Sequence, residues 1–376
     1  MPGIILEGIL RITSRGRVVS GIALVGTSAM LLAGCASAPE APADTAVALD
    51  YLPCMVSDAG GFDDKSFNQL GFEGLTEAAA ALGVETKSTE SASETDYAPN
   101  IDSLVDAGCD LIVTVGFALS AATVTAALAN PDVNFAIIDD AADNDFDGKT
   151  DAPNIKPILF DTAQAAFLAG YASASYSKTG TVGTFGGQNF PTVSIFMDGY
   201  AQGVDYYNEQ KSADVKVIGW DQDKQDGLFT GGFEANDTAK TTAKNLIDQG
   251  ADVILPVGGP IFQSAGAAIE DSGKDVALLG ADADVFDTFP TYDSLYFTSV
   301  LKGMKEATND VVTAASEEGG FDVTAYIGTL ENDGVGIAPF HEFESKVDGD
   351  LQGELDTIKA SIISGDIKVT SYLAAS

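Results

Sequence analysis

The chain's densest group of chemically able side chains is Asp58-Ala59-Gly60-Gly61-Phe62-Asp63-Asp64-Lys65-Ser66-Phe67-Asn68-Gln69. It follows Tyr51–Ser57, an apolar run of strand length. The paired glycines permit a tight turn, and Asp63 or Asp64 is placed to cap a helix beginning near Ser66. Carboxylates, an aromatic ring and an amide gathered at one helix start suit the grip of a flat, polar ligand. They equally suit a plain capped helix whose Phe67 packs in the core.

Two absences narrow the chemistry. The only arginines among 376 residues are Arg11, Arg15 and Arg17. The rest of the chain therefore has no guanidinium fork for bidentate capture of a carboxylate or phosphate. Amino-acid, sulfate and nucleotide ligands are disfavoured. The single histidine, His341, makes a histidine-based triad or zinc site hard to assemble. A net charge of −37 disfavours nucleic acid and anionic lipid surfaces as partners. No cofactor and no metal are expected.

The three arginines precede an apolar run, Val18 to Leu32, that ends in Leu31-Leu32-Ala33-Gly34-Cys35-Ala36. A basic start, an apolar stretch too short to span a bilayer securely and small residues at the junction form a secretory signal. Its ending resembles a bacterial lipobox, in which the cysteine is lipidated and becomes the first mature residue. The alternative is an ordinary signal peptide with an incidental cysteine. Residues 1–34 carry three basic groups and Glu7, a net of +2, so their removal takes −37 to −39. Residues 35–50, rich in alanine and proline, suit a tether to a lipid at Cys35 on the outer face of the cell membrane. Cys54 and Cys109 fit no metal spacing and suit small apolar strand positions; in this compartment they are also free to form a disulfide.

Beyond the tether, buried strands alternate with amphipathic helices, the pattern of an α/β fold with parallel sheets covered on both faces. The strand-like runs are Tyr51–Ser57, Leu111–Val115, Val133–Ile138, Thr181–Phe185, Val215–Trp220, Val253–Val257 and Val276–Gly280. Helical periodicity marks Phe67–Leu82, Ile101–Gly108, Ala163–Tyr176, Thr238–Gln249 and Ile261–Asp271. The chain also echoes itself: Gly108-Cys109-Asp110-Leu111-Ile112-Val113-Thr114-Val115-Gly116 matches Gly250-Ala251-Asp252-Val253-Ile254-Leu255-Pro256-Val257-Gly258 in register. Two related lobes are the expectation. Gly116 and Gly258 then fall beyond strand carboxyl ends, where ligands sit in open parallel sheets.

Taken in order, these motifs resemble the basic membrane protein family, the PnrA-like nucleoside-binding lipoproteins that serve ABC importers. The resemblance rests on the Asp58–Gln69 stretch, on Phe135-Ala136-Ile137-Ile138-Asp139 and on Asp161-Thr162-Ala163-Gln164-Ala165-Ala166-Phe167-Leu168-Ala169-Gly170-Tyr171. Lys178–Gly183, Gly250–Ile254, Gly280-Ala281-Asp282 and Thr298-Ser299-Val300-Leu301-Lys302 continue it. It implies a type I periplasmic-binding-protein fold, two Rossmann-like lobes with a ligand cleft between them. The N-terminal lobe is expected over 51–160 plus about 283–325, and the C-terminal lobe over 161–282 plus about 326–376. The implied ligand is a purine nucleoside (adenosine, guanosine or inosine), and the implied partners are an ABC permease and its ATPase. By motif match, Phe67 and Phe233 sandwich the base, Asp64 and Asp139 read its polar edge, and Asp58, Asp282, Lys302 and the Gly258 backbone hold the ribose. Asn68 supports the turn. Physical chemistry agrees: a purine offers two stacking faces, and ribose hydroxyls suit ionised carboxylate acceptors.

The sequence departs from that pattern in places. Asp221–Gly227 lengthens the stretch before Phe233, which leaves Trp220 and Phe196 as competitors for the second stacking face. Lys305 competes with Lys302. Asp143-Asn144-Asp145-Phe146-Asp147-Gly148 opens like a calcium loop, but Asn154 stands where the closing glutamate belongs, so a solvated acidic loop is expected. The leading functional expectation is a binding protein and not an enzyme. A calcium-dependent nucleoside hydrolase built on the clustered aspartates and a non-transporting sensor lipoprotein are the alternatives.

Overall fold

The computed structural model describes residues 49–373; the signal segment 1–34, the lipidation site Cys35 and most of the 35–50 tether lie outside them. The first half builds β1 (Pro53–Val56), α1 (Phe67–Leu82), β2 (Lys87–Thr89), α2 (Tyr97–Asp106), β3 (Leu111–Val115), α3 (Ser120–Ala129), β4 (Asn134–Ile138) and β5 (Ile155–Phe160). Then follow α4 (Thr162–Tyr176), β6 (Thr181–Gly186), α5 (Pro191–Lys211), β7 (Lys216–Ile218), β8 (Trp220–Asp221), β9 (Asp226–Gly227), α6 (Asp237–Asp248) and β10 (Val253–Val257). The rest is α7 (Ile261–Ser272), β11 (Ala277–Asp282), α8 (Val285–Thr288), β12 (Tyr296–Lys302), α9 (Met304–Ala315), β13 (Tyr326–Gly328), β14 (Val335–Ile337) and α10 (Leu351–Ser364).

Two six-stranded sheets result, ordered β13-β5-β4-β3-β1-β2 and β14-β12-β11-β10-β6-β7. All pairings in them are parallel except β12 with β14. The central strands are apolar on both faces because helices cover both: Leu111–Val115 and Val253–Val257 are buried throughout. Read position by position, β3 corresponds to β10 and β4 to β11, so the internal echo in the sequence occupies equivalent strands of two related lobes.

The lobe boundaries differ from expectation. β12, expected in the first lobe, pairs with β11 of the second, while β13, expected in the second, pairs with β5 of the first. The chain therefore crosses between lobes three times, after Phe160, after Lys302 and between Gly328 and Val335. α9 belongs to the first lobe, where a side chain on Gly74 of α1 would meet the Lys305 carbonyl at 2.3 Å. α10 belongs to the second, where Tyr171 of α4 donates to Glu354 at 2.8 Å. The inserted Asp221–Gly227 stretch folds on itself as the β8–β9 hairpin.

Cys54 of β1 and Cys109, just ahead of β3, form a disulfide that closes 55 residues of chain. This is the alternative to the apolar strand role that the sequence favoured. By loop-closure entropy such a crosslink contributes about 4 kcal/mol. Replacing both cysteines by serine is expected to lower the unfolding free energy by roughly that much, with the urea midpoint as the measurement. An unchanged midpoint would mean that the crosslink is dispensable.

Candidate functional site

A cavity of about 400 Å³ lies between the lobes at the carboxyl ends of the strands. All nine residues expected at the site line it: Asp58, Asp64, Phe67, Asn68, Asp139, Phe233, Gly258, Asp282 and Lys302. The first strand delivers Asp58 into a turn that the helix start holds shut. Asn68 donates its Nδ2 to Asp58 at 2.7 Å, and its Oδ1 accepts the Asp58 amide at 3.3 Å. The Gly60 amide adds a bond at 2.9 Å. Burial nevertheless pushes Asp58 up to about 6, against the pull of those donors.

Asp64 has a different occupation. Its two oxygens accept the amides of Ser66, Asn68 and Gln69 at 3.0, 2.8 and 3.1 Å, and the Asn68 side chain at 3.2 Å. Four donors fill the lone-pair sites of a carboxylate. It caps α1, as the sequence suggested for Asp63 or Asp64, and has no acceptor capacity left for a base. Asp63 points outward and pairs with Lys65.

The base of the cleft is ionic. Lys302, at the end of β12, pairs with Asp139 of the first lobe and lies 3.2 Å from Asp282 of the second. All three are buried. Burial pushes Asp139 up to about 6, with Lys302 opposing it. Burial draws Lys302 down, but the two carboxylates outweigh it and hold the ammonium protonated. Asp139 follows β4, Asp282 ends the equivalent β11, and both have left-handed backbones, φ 63° and 69°. Aspartate is one of the few non-glycine residues that adopt such a φ readily, and the same turn at both strand ends brings both carboxylates to Lys302.

Aromatic rings line the walls. Phe67 and Phe233 are half-buried, and the Lys302 ammonium sits 5.1 Å from the Phe67 ring centroid. Phe233 lies across Gly187 and Gly258, where a Cβ would meet its ring at 2.3 and 2.5 Å. These two glycines are therefore obligatory for its placement. Phe196 reaches the cleft only as a buried wall, also 5.1 Å from the ammonium. Trp220 lies elsewhere, against Phe229, donating its Nε1–H to Asp198 at 2.9 Å. Lys305 faces Glu77 at 2.6 Å. The competitors named for the ammonium and the second ring are thus used structurally.

Sequence reasoning missed Phe117, Phe190, Tyr97 and Gln188, which also line the cleft. Phe117 and Phe190 follow glycine-ended strands β3 and β6, a placement that could have flagged them. On the acidic loop, Asp143, Asp145 and Asp151 bring one oxygen each within 4.8 Å of the others. Asn154 takes no part: its Nδ2 donates to the carbonyls of Ala127, Asn130 and Val133.

The sequence profile described as "ABC transporter substrate-binding protein PnrA-like" matches residues 52–371. The chain belongs to that family. Basic membrane protein A of Borreliella burgdorferi is 29% identical, aligned over 83% of this chain and 86% of its own. The ABC transporter nucleoside-binding protein BmpA of Lactococcus lactis is 28% identical over 94% and 99%. Among solved structures, an ABC transporter system solute-binding protein from Aeropyrum pernix superposes with a TM-score of 0.73 at 25% identity, covering 86% of this chain and 94% of that one. The type I periplasmic-binding-protein fold expected from the motifs is the fold observed. Among the described residues, no helix is long and apolar enough to cross a membrane.

The buried triad is tolerated because its charges pair with one another, and it joins the two lobes at the cleft. Removing the cation alone strands two carboxylates. Lys302→Met is expected to cost about 3–5 kcal/mol, and adding Asp139→Asn should recover part of that loss. Equal denaturant midpoints for Lys302→Met and the native chain would remove the triad from this role.

Proposed function

We propose that this protein is a lipid-anchored, extracytoplasmic receptor that captures purine nucleosides and passes them to an ABC permease with its ATPase. The observation that carries the reading is the pairing, in one interlobe cleft, of half-buried Phe67 and Phe233 with the carboxylates of Asp58, Asp139 and Asp282. Rings of that kind accept the two faces of a base, and carboxylates accept hydroxyls from ribose. Among the described residues the cleft lining has no arginine and is acidic, which repels a phosphate. The nucleoside-binding relative from Lactococcus lactis supports the ligand class.

In this arrangement Asp58 and Asp282 accept ribose hydroxyls, Lys302 donates to ribose oxygens, and the Gly258 backbone closes on the sugar. Phe67 and Phe233 take the faces of the base, and Asp139 meets its polar edge. Asp64, with its lone pairs occupied, shapes the turn instead. A hydrolase would need the clustered aspartates to converge on a cation; Asp63 faces solvent, and Asp64, though it lines the cleft, has its oxygens taken by the donors at the start of α1, which leaves Asp58. The lipid at Cys35 and the transfer partners follow from the signal-like start and the family.

Titration calorimetry with inosine and inosine monophosphate tests the ligand class. Inosine is expected to bind and the monophosphate to bind far more weakly; comparable affinities would overturn the reading. Phe67→Ala should weaken inosine binding by roughly one to two orders of magnitude, since stacking contributes about 1–3 kcal/mol per base.

The pH dependence has a definite sign. Asp58 and Asp139 sit at about 6, above the ordinary carboxylate range, so both lose charge as pH falls through that value. Acceptor strength falls with it. Inosine affinity should be level between pH 7 and 8 and decline below about pH 6, reaching roughly tenfold per pH unit for each acceptor involved. A flat profile down to pH 5 would show that neither carboxylate accepts from the ligand in ionised form.

A further inference from the structure

We infer that Phe117 and Phe190 form an aromatic latch that holds the two lobes together through the protein's own contacts, independently of cargo. Phe117 follows β3 in the first lobe, and Phe190 precedes Pro191 at the start of α5 in the second. Their rings approach to 4.9 Å between centroids at 31°, and Phe190 continues to Phe233 at 6.0 Å. All three are half-buried and line the cleft.

The position of this contact sets it apart from the other bridges. Lys302 stands immediately before a crossover, so its pairing with Asp139 lies at the hinge and survives a rotation about it. Ser66 donates to the Ala281 carbonyl at 2.8 Å and Thr288 to the Lys65 carbonyl at 2.7 Å. When the lobes part, water replaces those hydrogen bonds at little net cost. Parting the rings instead exposes apolar faces, and water gives nothing equivalent in return. The contact joins protein to protein, so its free energy acts on the cleft whether or not a ligand is inside. Part of the closure that a ligand would otherwise have to drive is built into the chain, and association is limited by opening of the latch.

Small-angle scattering tests this on the full chain, stripped of carried ligand by unfolding and refolding. The native protein should have nearly the same radius of gyration with and without added inosine. Phe117→Ala and Phe190→Ala should each lower the closed-to-open ratio roughly tenfold, seen as expansion of the ligand-free form. The double variant should expand no further than either single one, since each change removes the same contact. Phe190→Leu, which keeps apolar bulk, should fall between native and alanine and guards against a folding defect, as does an unchanged circular dichroism spectrum. A native ligand-free form as expanded as the variants, or variants as compact as native, would overturn the latch. The ligand-free comparison needs no nucleoside, so it stands even if inosine fails to bind.

Discussion

The ammonium of Lys302, held between Asp139 and Asp282, is the interaction on which the two-lobed arrangement turns. It takes Asp139 from the end of the first sheet, and Asp282 and the cation itself from strand ends of the second, in a buried place. An isolated charge there would be untenable; three together are tolerable because each carboxylate meets a donor and the cation meets two acceptors. Three aromatic rings surround the same ammonium, Phe67 and Phe196 at 5.1 Å and Phe160 at 5.9 Å. The triad therefore ties three requirements together: a closed hinge, a polar cleft floor and aromatic walls of fixed position.

The pseudo-symmetry of the lobes explains why the cleft is polar on both sides. β4 and β11 occupy the same place in their sheets, and an aspartate with a left-handed backbone follows the first and ends the second. A parallel strand normally ends by releasing its chain into a loop; here the reversal at Asp139 and Asp282 turns the carboxylate back toward the facing lobe. The asymmetry between lobes lies one strand away. β1 leads into Asp58 and its hydrogen-bonded turn, whereas the equivalent β6 leads into Gly187, over which Phe233 lies. One lobe thus presents an acceptor and the other a ring at matching positions, which suits a ligand with a hydroxylated end and a flat end.

Much of this was legible in the sequence because it depends on local rules. The strand of buried residues at Leu111–Val115 and the helix at Phe67–Leu82 have the observed bounds, and the Gly-x-Asp to Val-Gly echo fell on equivalent strands. Asn68 as a support for the turn, and Lys302 ahead of Lys305, come instead from matching the family's motifs at a helix start and at a strand end. What local rules could not supply is where a strand goes after it forms. β12 and β13 are each short apolar runs near the C-terminus, and nothing in either run records which sheet has an open edge to receive it. The same limit applied to Asp64, whose two roles, cap or ligand acceptor, differ only in which donors approach its oxygens. The disulfide is a third case: Cys54 and Cys109 look like ordinary strand cysteines until β1 and β3 are known to be neighbours.

The latch and the triad act on closure from different places, the triad beside a crossover and the latch away from all three. A contact at the hinge changes little as the lobes rotate, so it sets the axis but supplies no force against opening. A contact at the rim moves furthest and resists opening most for a given free energy. Phe117, after β3, and Phe190, before α5, lie outside all three crossovers and are half-buried. Parting the rings therefore leaves the buried charges paired, whereas parting the triad would strand them.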